Sequence, residues 1–397
     1  MLQAEQHAGR ADRPEAAAIL LAVTRLTLTD FRNYGEARID VAARPVVLTG
    51  PNGAGKTNVL EALSYLTPGR GLRGARLSEL ARLGGGGGWS VAARIETPSG
   101  LAAVGTGIEG RTADEGDEDG AERRVVRIDG APARGPAALA DLIRAVWLTP
   151  QMDRLFTDGR SDRRRFLDRL VLGYDPEHGR RVGAYERVMR ERLKLLRDGN
   201  GDDAWLTALE ARMAEATVAI AAARREAVMR LRGALAAGIG PFPRADLTVR
   251  GLAEDLLGEQ AAVEVEGRLQ ALFRRSRAGD RDAGRTQEGA HRAEMEVVHL
   301  AKGLPAALCS TGEQKALLVA VVLADARLQA VHRGAPPLLL LDEVAAHLDE
   351  TRREALFDEI LALGCQAWMT GTDRALFERL EGQAQFLAVA QGKVNDG

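Results

Sequence analysis

The sequence predicts an α/β fold in which a phosphate-binding domain is split by a long helical insertion. Three observations carry that prediction. A glycine-rich loop, Gly50-Pro51-Asn52-Gly53-Ala54-Gly55-Lys56-Thr57, lies between a strand pattern and a helix pattern. Near the other end of the chain, the apolar run Leu338-Leu339-Leu340-Leu341 ends in Asp342-Glu343. Between the two, the texture changes to extended helical periodicity.

The loop fits G-x-x-x-x-G-K-[ST], and its flanks fit too. Residues 45–49 read as a short buried strand, and residues 58–66 as a helix with apolar side chains at i, i+3 and i+4. Gly50, Gly53 and Gly55 let successive backbone N–H groups turn toward one anion. The helix N-terminus adds partial positive charge, Lys56 is placed for the β/γ-phosphates, and the Thr57 hydroxyl for Mg²⁺. The plainer reading is a glycine turn that happens to end in Lys-Thr. Both flanks argue against it.

Taken in order, residues 1–18 are polar, Ala-rich and aperiodic, and read as a disordered extension ending near residue 20. Residues 21–28 alternate as a strand, Phe31-Arg32-Asn33-Tyr34 turns, and residues 37–41 return toward the loop. The glycine run Gly84–Gly88 reads as a flexible hairpin tip. Residues 90–96, 101–108, 125–128 and 145–148 read as further strands, with the acidic stretch 112–122 as a solvated loop. After Pro150 the helical texture begins. Leu206, Leu209, Met213, Ala216, Ile220, Ala223 and Ala227 repeat at steps of three and four, a short coiled-coil-like hairpin with its partner in residues 182–196. Residues 160–198 hold twelve basic side chains against seven acidic ones, either a solvated helical face or a DNA-facing patch. Residues 238–243 break the helices, and the nearly apolar-free stretch 274–292 reads as a mobile loop. From Met295 the chain turns compact: residues 316–323 are apolar nearly all round, as a buried helix permits. Pro336-Pro337 then stops that helix, residues 338–341 form a buried parallel strand, and residues 361–369 read as the next one. The expected division is a first half-domain over 20–160, a helical arm over 161–293 and a second half-domain over 294–397.

The apolar strand delivers Asp342 and Glu343 at its C-terminal edge, where ligands of α/β sheets bind. Asp342 is placed to hold Mg²⁺, and Glu343 to orient or deprotonate an attacking water. Ser310-Thr311-Gly312-Glu313-Gln314 precedes the buried helix. Its bland reading is a capping box, with Ser310 as N-cap and Glu313 three residues on. Its sharper reading is an anion site offered to a second subunit, and both can hold at once.

The order of this motif, a helix, a strand ending in Asp-Glu, and then Ala346-His347-Leu348-Asp349 resembles the ATP-binding-cassette ATPases. That resemblance implies an ABC-type P-loop ATPase head, with Ser310–Gln314 as a signature acting in trans and His347–Asp349 in a dimer loop. It further implies a two-fold dimer glued by ATP. Gln151 sits where such ATPases keep a glutamine that senses Mg²⁺ and water. A switch histidine would stand where this chain offers Thr372 or Asp373.

Four stretches narrow the family. Phe31-Arg32-Asn33-Tyr34, Asn58 directly after Thr57, Arg163-Arg164-Arg165-Phe166-Leu167-Asp168, and Leu340–Asp349 with Arg352 and Leu356 together resemble the RecF family over residues 20–390. The departures are Gln151 for an acid, Ser161 for a proline, and Gly289-Ala290-His291-Arg292-Ala293-Glu294 for G-P-H-R-D-D. The resemblance implies an ATP-dependent homodimer that clamps double-stranded DNA at its junctions with single-stranded DNA. It would work with RecR and RecO to load RecA, with slow DNA-stimulated hydrolysis. Arg32 and Asn33 would lie near the nucleotide, and Arg163–Arg165 would tie the arm to the head or meet DNA phosphate.

Composition limits the alternatives. Net charge is −2, so any nucleic-acid surface is local. The two cysteines, Cys309 and Cys365, lack metal-ligand spacing and fit a reducing cytosol. No apolar run reaches about 18 residues, so a cytoplasmic protein without a membrane partner is expected. A transporter's energising subunit would lack the large insertion, and a cohesion-type head needs far longer heptad arrays.

Overall fold

The computed structural model describes residues 20–109, 123–199 and 202–397. Strand β1 (Ala22–Phe31) turns at Arg32, whose φ is 55°, into antiparallel β2 (Tyr34–Asp40). The chain then enters the head through β3 (Val46–Thr49), the glycine loop and α1 (Lys56–Ser64). It returns to the first sheet as β4 (Trp89–Thr97), β5 (Gly100–Ile108), β6 (Val125–Ile128) and the short β7 (Ala131–Pro132). The resulting antiparallel sheet runs β2-β1-β4-β5-β6-β7. Alternation of buried and exposed residues along β4 marks one face packed and one solvated. The run Gly84–Gly88 is not a hairpin tip; it lies in the connection from Ala81, bridged to Phe31, into β4. The expected tail (1–18) and acidic loop (112–122) lie outside the described residues.

Strand β8 (Ala145–Leu148) leads through a 3-10 turn, Pro150–Arg154, into the insertion. There α2 (Arg160–Leu172) is followed by the antiparallel pair α3 (His178–Asp198) and α4 (Asp203–Ala237). Next come β9 (Ala245–Arg250), α5 (Leu252–Leu256), α6 (Ala262–Arg275) and α7 (Arg277–Ala283). The chain re-enters the head with β10 (Glu294–His299), β11 (Leu304–Pro305), α8 (Thr311–Arg333) and β12 (Leu338–Leu341). It finishes with α9 (Glu350–Leu363), β13 (Ala367–Gly371), β14 (Gln385–Ala390) and β15 (Lys393–Asp396).

Two of these elements differ from the sequence expectation. Residues 274–292 are not a loop: α6 ends and α7 forms inside them, with Asp280 of α7 buried in an ion pair. Arg192 of α3 and Asp280 of α7 are both fully buried and 2.7 Å apart, and Glu210 of α4 lies 2.9 Å from the same guanidinium. An apolar count cannot see a helix held by buried ion pairs. The strand expected over 361–369 starts only at Ala367, since Leu361–Leu363 complete α9, which ends on Gly364 at φ 62°. The insertion also contains β9, which pairs with β10 of the second half.

The central sheet positions the site. Its order is β15-β14-β3-β13-β12-β8, with β14, β3, β13, β12 and β8 parallel. Strand β12 is buried on both faces: Leu339 and Leu341 join one core cluster, Leu338 and Leu340 the other. The C-terminal ends of β3, β13, β12 and β8 therefore share one edge. They carry the glycine loop, Thr370-Gly371, Asp342-Glu343 and the turn with Gln151.

Candidate nucleotide site

The glycine loop is shaped from outside. A Cβ on Gly50 (φ 150°) would meet the Val389 carbonyl oxygen of β14 at 2.1 Å, so only glycine lets β14 lie this close. Gly55, at φ 112°, faces the turn after β1: a Cβ there would lie 2.5 Å from Asn33 Nδ2 and 2.8 Å from Tyr34 Oη. That turn clamps the loop. Asn33 Nδ2 donates to Ala54 O (3.2 Å), Tyr34 Oη donates to Gly55 O (3.0 Å), and Asn58 Nδ2 donates to Asn33 Oδ1 (2.7 Å). Arg32 grips the fully buried Glu61 of α1 with two nitrogens, at 2.8 and 2.7 Å, and donates to Glu79 O at 2.8 Å. Its guanidinium is thereby tied to α1, so Arg32 positions the loop's helix. Asn33 is likewise spent on the loop and Asn58.

The loop itself fits an anion. Helix α1 starts at Lys56 with no side-chain cap and no acidic residue in its first turn, leaving its positive end for a ligand. Lys56 is buried, and its Nζ donates to Gly50 O (2.7 Å) and Pro51 O (2.9 Å) across the mouth of the loop. Burial lowers its pKa, with the carboxylates of Glu343 and Asp342 opposing that shift. These residues fit the phosphates of ATP.

Beside the loop, Thr57 Oγ1 donates to Asp342 at 2.9 Å (Oδ1) and 3.1 Å (Oδ2). Thr370 Oγ1 donates to Asp342 Oδ1 at 2.8 Å and accepts the Glu343 N–H at 2.9 Å. One hydroxyl thus fixes both acids. Glu343 has φ 52°, a left-handed conformation costing a non-glycine residue about 1–3 kcal/mol. Among the described residues no cluster of three or more His, Cys, Asp or Glu side chains could hold a metal alone. A Mg²⁺ bound through Thr57, Asp342, phosphate oxygens and water needs no such cluster. Gln151 is exposed on the turn after β8, at the same sheet edge, with no hydrogen bond to Thr57 or Asp342. Asp373 caps the following 3-10 turn through the Ala375 N–H (2.9 Å), and Thr372 is exposed.

The start of α8 forms the capping box and leaves its first residues exposed. Ser310 Oγ accepts from the Glu313 N–H (3.4 Å), and Glu313 Oε2 accepts from the Ser310 N–H (3.1 Å), a complete capping box. Lys302, 2.5 Å from Glu313, holds that carboxyl down to about 2, helped by Ser310. Gln314 turns inward onto Cys309 O (2.9 Å), whereas Ser310, Thr311 and Gly312 are exposed. Lys315 pairs with Asp153 (3.0 Å), joining α8 to the turn that carries Gln151. Beyond β12, His347 is exposed and Asp349 caps α9 through the Arg352 N–H (2.9 Å).

Residues 22–395 match the family described as the RecF/RecN/SMC N terminal domain. A DNA replication and repair protein RecF of Mesorhizobium japonicum is 53% identical over 375 residues, covering 94% of this chain and 97% of its own. That of Brucella suis is 49% identical over 397 residues, 99% of each chain. The chain belongs to the RecF family. A solved structure of a recombination mediator protein RecF, in a form designated RecF-ATPrS in the RecFOR pathway, shares the fold with a TM-score of 0.82. It is 20% identical and covers 96% of this chain and 99% of its own. An SMC head bound to the C-winged helix domain of ScpA shares it more distantly, with a TM-score of 0.53 at 15% identity, covering 94% and 96%. The fold is thus that of RecF and SMC heads, an ABC-type ATPase architecture.

The arginine run of this RecF chain works mainly inward. Arg163 donates to Phe156 O (3.1 Å) and Asp158 O (2.6 Å) and pairs with Glu294 of β10. Arg164 is half-buried, donates to Ala293 O (3.3 Å), and has its pKa lowered by burial and by Arg224. Only Arg165 points outward, paired with Asp162 at 2.5 Å. Three residues on, Asp168 accepts from Arg224 of α4 (2.8 and 3.0 Å) and from buried His178 of α3 (2.8 Å). Arg224 continues to Ala290 O (2.7 Å) and Glu254 (3.3 Å). Close by, Tyr185 Oη donates to His291 Nδ1 (2.7 Å), whose Nε2 donates to Thr286 O (3.0 Å). A Cβ at Gly289 (φ 127°) would strike Tyr185 Oη at 2.2 Å, which explains the glycine ahead of that histidine. Sequence reading missed Arg224, His178, Arg192 and the double role of Thr370; an arginine inside an apolar heptad run was the available signal for Arg224.

Proposed function

We propose that this RecF-family chain is an ATP-gated DNA-binding protein of recombinational repair. ATP with Mg²⁺ would bind at Gly50–Thr57, with Asp342 and Thr57 as the protein's metal-side ligands. The observation that carries this reading is the pairing of an uncapped α1 beside Thr57–Asp342–Thr370 with a capped, outward-facing α8 start. Among the described residues no hydrogen bond joins Ser310–Gln314 to the loop of the same chain. The exposed face of Ser310–Gly312 suits the phosphate held by a second copy, with His347 and Asp349 flanking the same interface.

In that arrangement ATP supplies the charge that joins two copies. Lys56 neutralises phosphate, the Asp342 carboxyl is fixed by two hydroxyls, and the Glu343 backbone is held by Thr370 so that its carboxyl can orient a water for slow hydrolysis. Closure of the two heads would form a groove for double-stranded DNA at its junction with single-stranded DNA. Contacts there would be to phosphate and so would be salt-sensitive and sequence-independent. RecR, RecO and RecA are the pathway partners this reading proposes. No helix among the described residues is long and apolar enough to cross a membrane.

Retention on linear duplex DNA, with and without ATP, tests the reading in wild type and Ser310→Arg. The variant leaves Gly50–Thr57 intact and places a bulky side chain where the partner's phosphate docks. ATP-dependent retention of wild type, absent from the variant, supports the clamp. Equal retention of both proteins without ATP overturns it.

A further inference from the structure

Between the root of the arm and the head lies a small cavity of about 30 Å³. Thr67, Arg144, Trp147, Arg169, Gly173 and Gln329 line it, so the turn after α1, the lead into β8, α2 and α8 all meet there. None of the residues assigned to the nucleotide or to the dimer face takes part. Three of the lining side chains bring buried polar atoms without a hydrogen-bond partner: Arg144 Nε, Arg169 Nε and Gln329 Oε1. Buried polar atoms of this kind nearly always have a partner, whether protein, water or ion.

The charge around the cavity is unbalanced. Neither Arg144 nor Arg169 forms an ion pair among the described residues. Arg144 donates to Ala335 O (2.7 Å), and the charge it feels most is that of Arg333, which is of like sign. Arg169 lies with its guanidinium 4.3 Å over the Trp147 ring and donates to Trp147 O at 3.4 Å. The nearest compensating acid, Asp325 of α8, is already engaged by Tyr174 Oη (2.7 Å) and Gln329 Nε2 (2.8 Å). Burial pushes Arg169 down to about 9 and Arg144 to about 10, so both remain cationic at neutral pH.

We infer that this cavity binds a monatomic anion of the chloride class, held between Arg144 Nε and Arg169 Nε. Size favours a small guest: a cavity of about 10–15 Å³ admits one water, so this one suits a single chloride-sized ion. Charge selects an anion over water, because two half-buried guanidinium groups turn unpartnered Nε donors toward the cavity with no counter-charge. The Gln329 amide can present either end. Turned over, it offers Nε2 to the guest and Oε1 to Asp325, whose carboxyl burial pushes up to about 7. Tyr174, Gln329 and Arg169 face that carboxyl, with Arg230 and His332 beyond the Tyr174 ring. The ion would cross-link α2, the first helix of the arm, to the head beside α8.

The test uses the full chain without nucleotide, melted in sodium glutamate and in sodium chloride at one ionic strength of about 0.15 M. With chloride about tenfold above its dissociation constant, the wild-type midpoint should rise by about 1–2 °C. Arg144→Met and Arg169→Met should lose the chloride-specific rise. Crystals soaked in bromide should show an anomalous peak between the two Nε atoms, a readout that stands even where a variant fails to fold. Equal midpoints in the two salts, or a water and no bromide peak in the cavity, would overturn the inference.

Discussion

Replacing Asp168 by Asn tests whether the arm is anchored by charge. The wild-type carboxylate accepts from Arg224 at 2.8 and 3.0 Å and from His178 at 2.8 Å, with 17% of its side chain exposed. Burial alone would raise its pKa, but the His178 hydrogen bond and the Arg224 charge outweigh burial and bring it from 3.8 down to about 2. At about 1.4 kcal/mol for each tenfold change in proton affinity, the ionised form gains about 2.5 kcal/mol on folding. The folded pKa is depressed, so this stabilisation is complete above pH 3.8 and is lost as pH falls through 2. Asp168→Asn should therefore melt roughly 3 °C below wild type at pH 7. The gap should fall to about half by pH 3, because the unfolded wild-type chain takes up the proton first. Thermal melts of both proteins across that range provide the assay. A difference under about 0.5 kcal/mol at pH 7, as for an ordinary surface site, or one that ignores pH, would refute the reasoning.

Other substitutions address the nucleotide site. Thr370→Val keeps the shape but removes the hydroxyl shared by Asp342 and Glu343. Losing about 1–3 kcal/mol of hydrogen bonding should lower kcat about 10–100-fold while nucleotide affinity changes little, as steady-state hydrolysis and equilibrium binding would show. Gly55→Ala places a methyl within 2.5 Å of Asn33 Nδ2 at φ 112°, so fluorescent-nucleotide binding should be lost while the fold survives by circular dichroism. Arg192→Leu leaves the buried Asp280 without its cation, while Glu210 keeps Arg277, and should cost about 3–5 kcal/mol in urea unfolding.

Much of this architecture was legible because it rests on local chemistry. The phosphate loop, the buried β12 with its two acids and the Ser310 cap each announce themselves within about ten residues, and their order along the chain completes the family resemblance. What stayed hidden depends on partners far apart in sequence. The mate of Arg32, Glu61, lies on α1 as an acid in an apolar face. Residues 274–292 looked mobile because Asp280 is buried against Arg192, a pairing no periodicity reports. Strand β9 is recognised only by its partner β10, and Thr370 only by the two acids that β12 brings beside it. The arginine run left open whether it ties the arm to the head or meets DNA; Glu294 and the Ala293 carbonyl claim two of its three members.

The most direct test of the composite, two-copy site mixes two inactive variants. Lys56→Met removes the phosphate lysine but keeps the α8 cap; Ser310→Arg does the reverse. Each alone should fail to hydrolyse ATP or to hold duplex DNA. Mixed one to one, the pair can build one intact site from Lys56 of one copy and Ser310 of the other. ATP hydrolysis should therefore return in the mixture, at roughly a quarter of the wild-type rate per dimer when the copies pair at random. A mixture as inactive as its components, with both variants shown to be folded, would contradict a site shared between two chains.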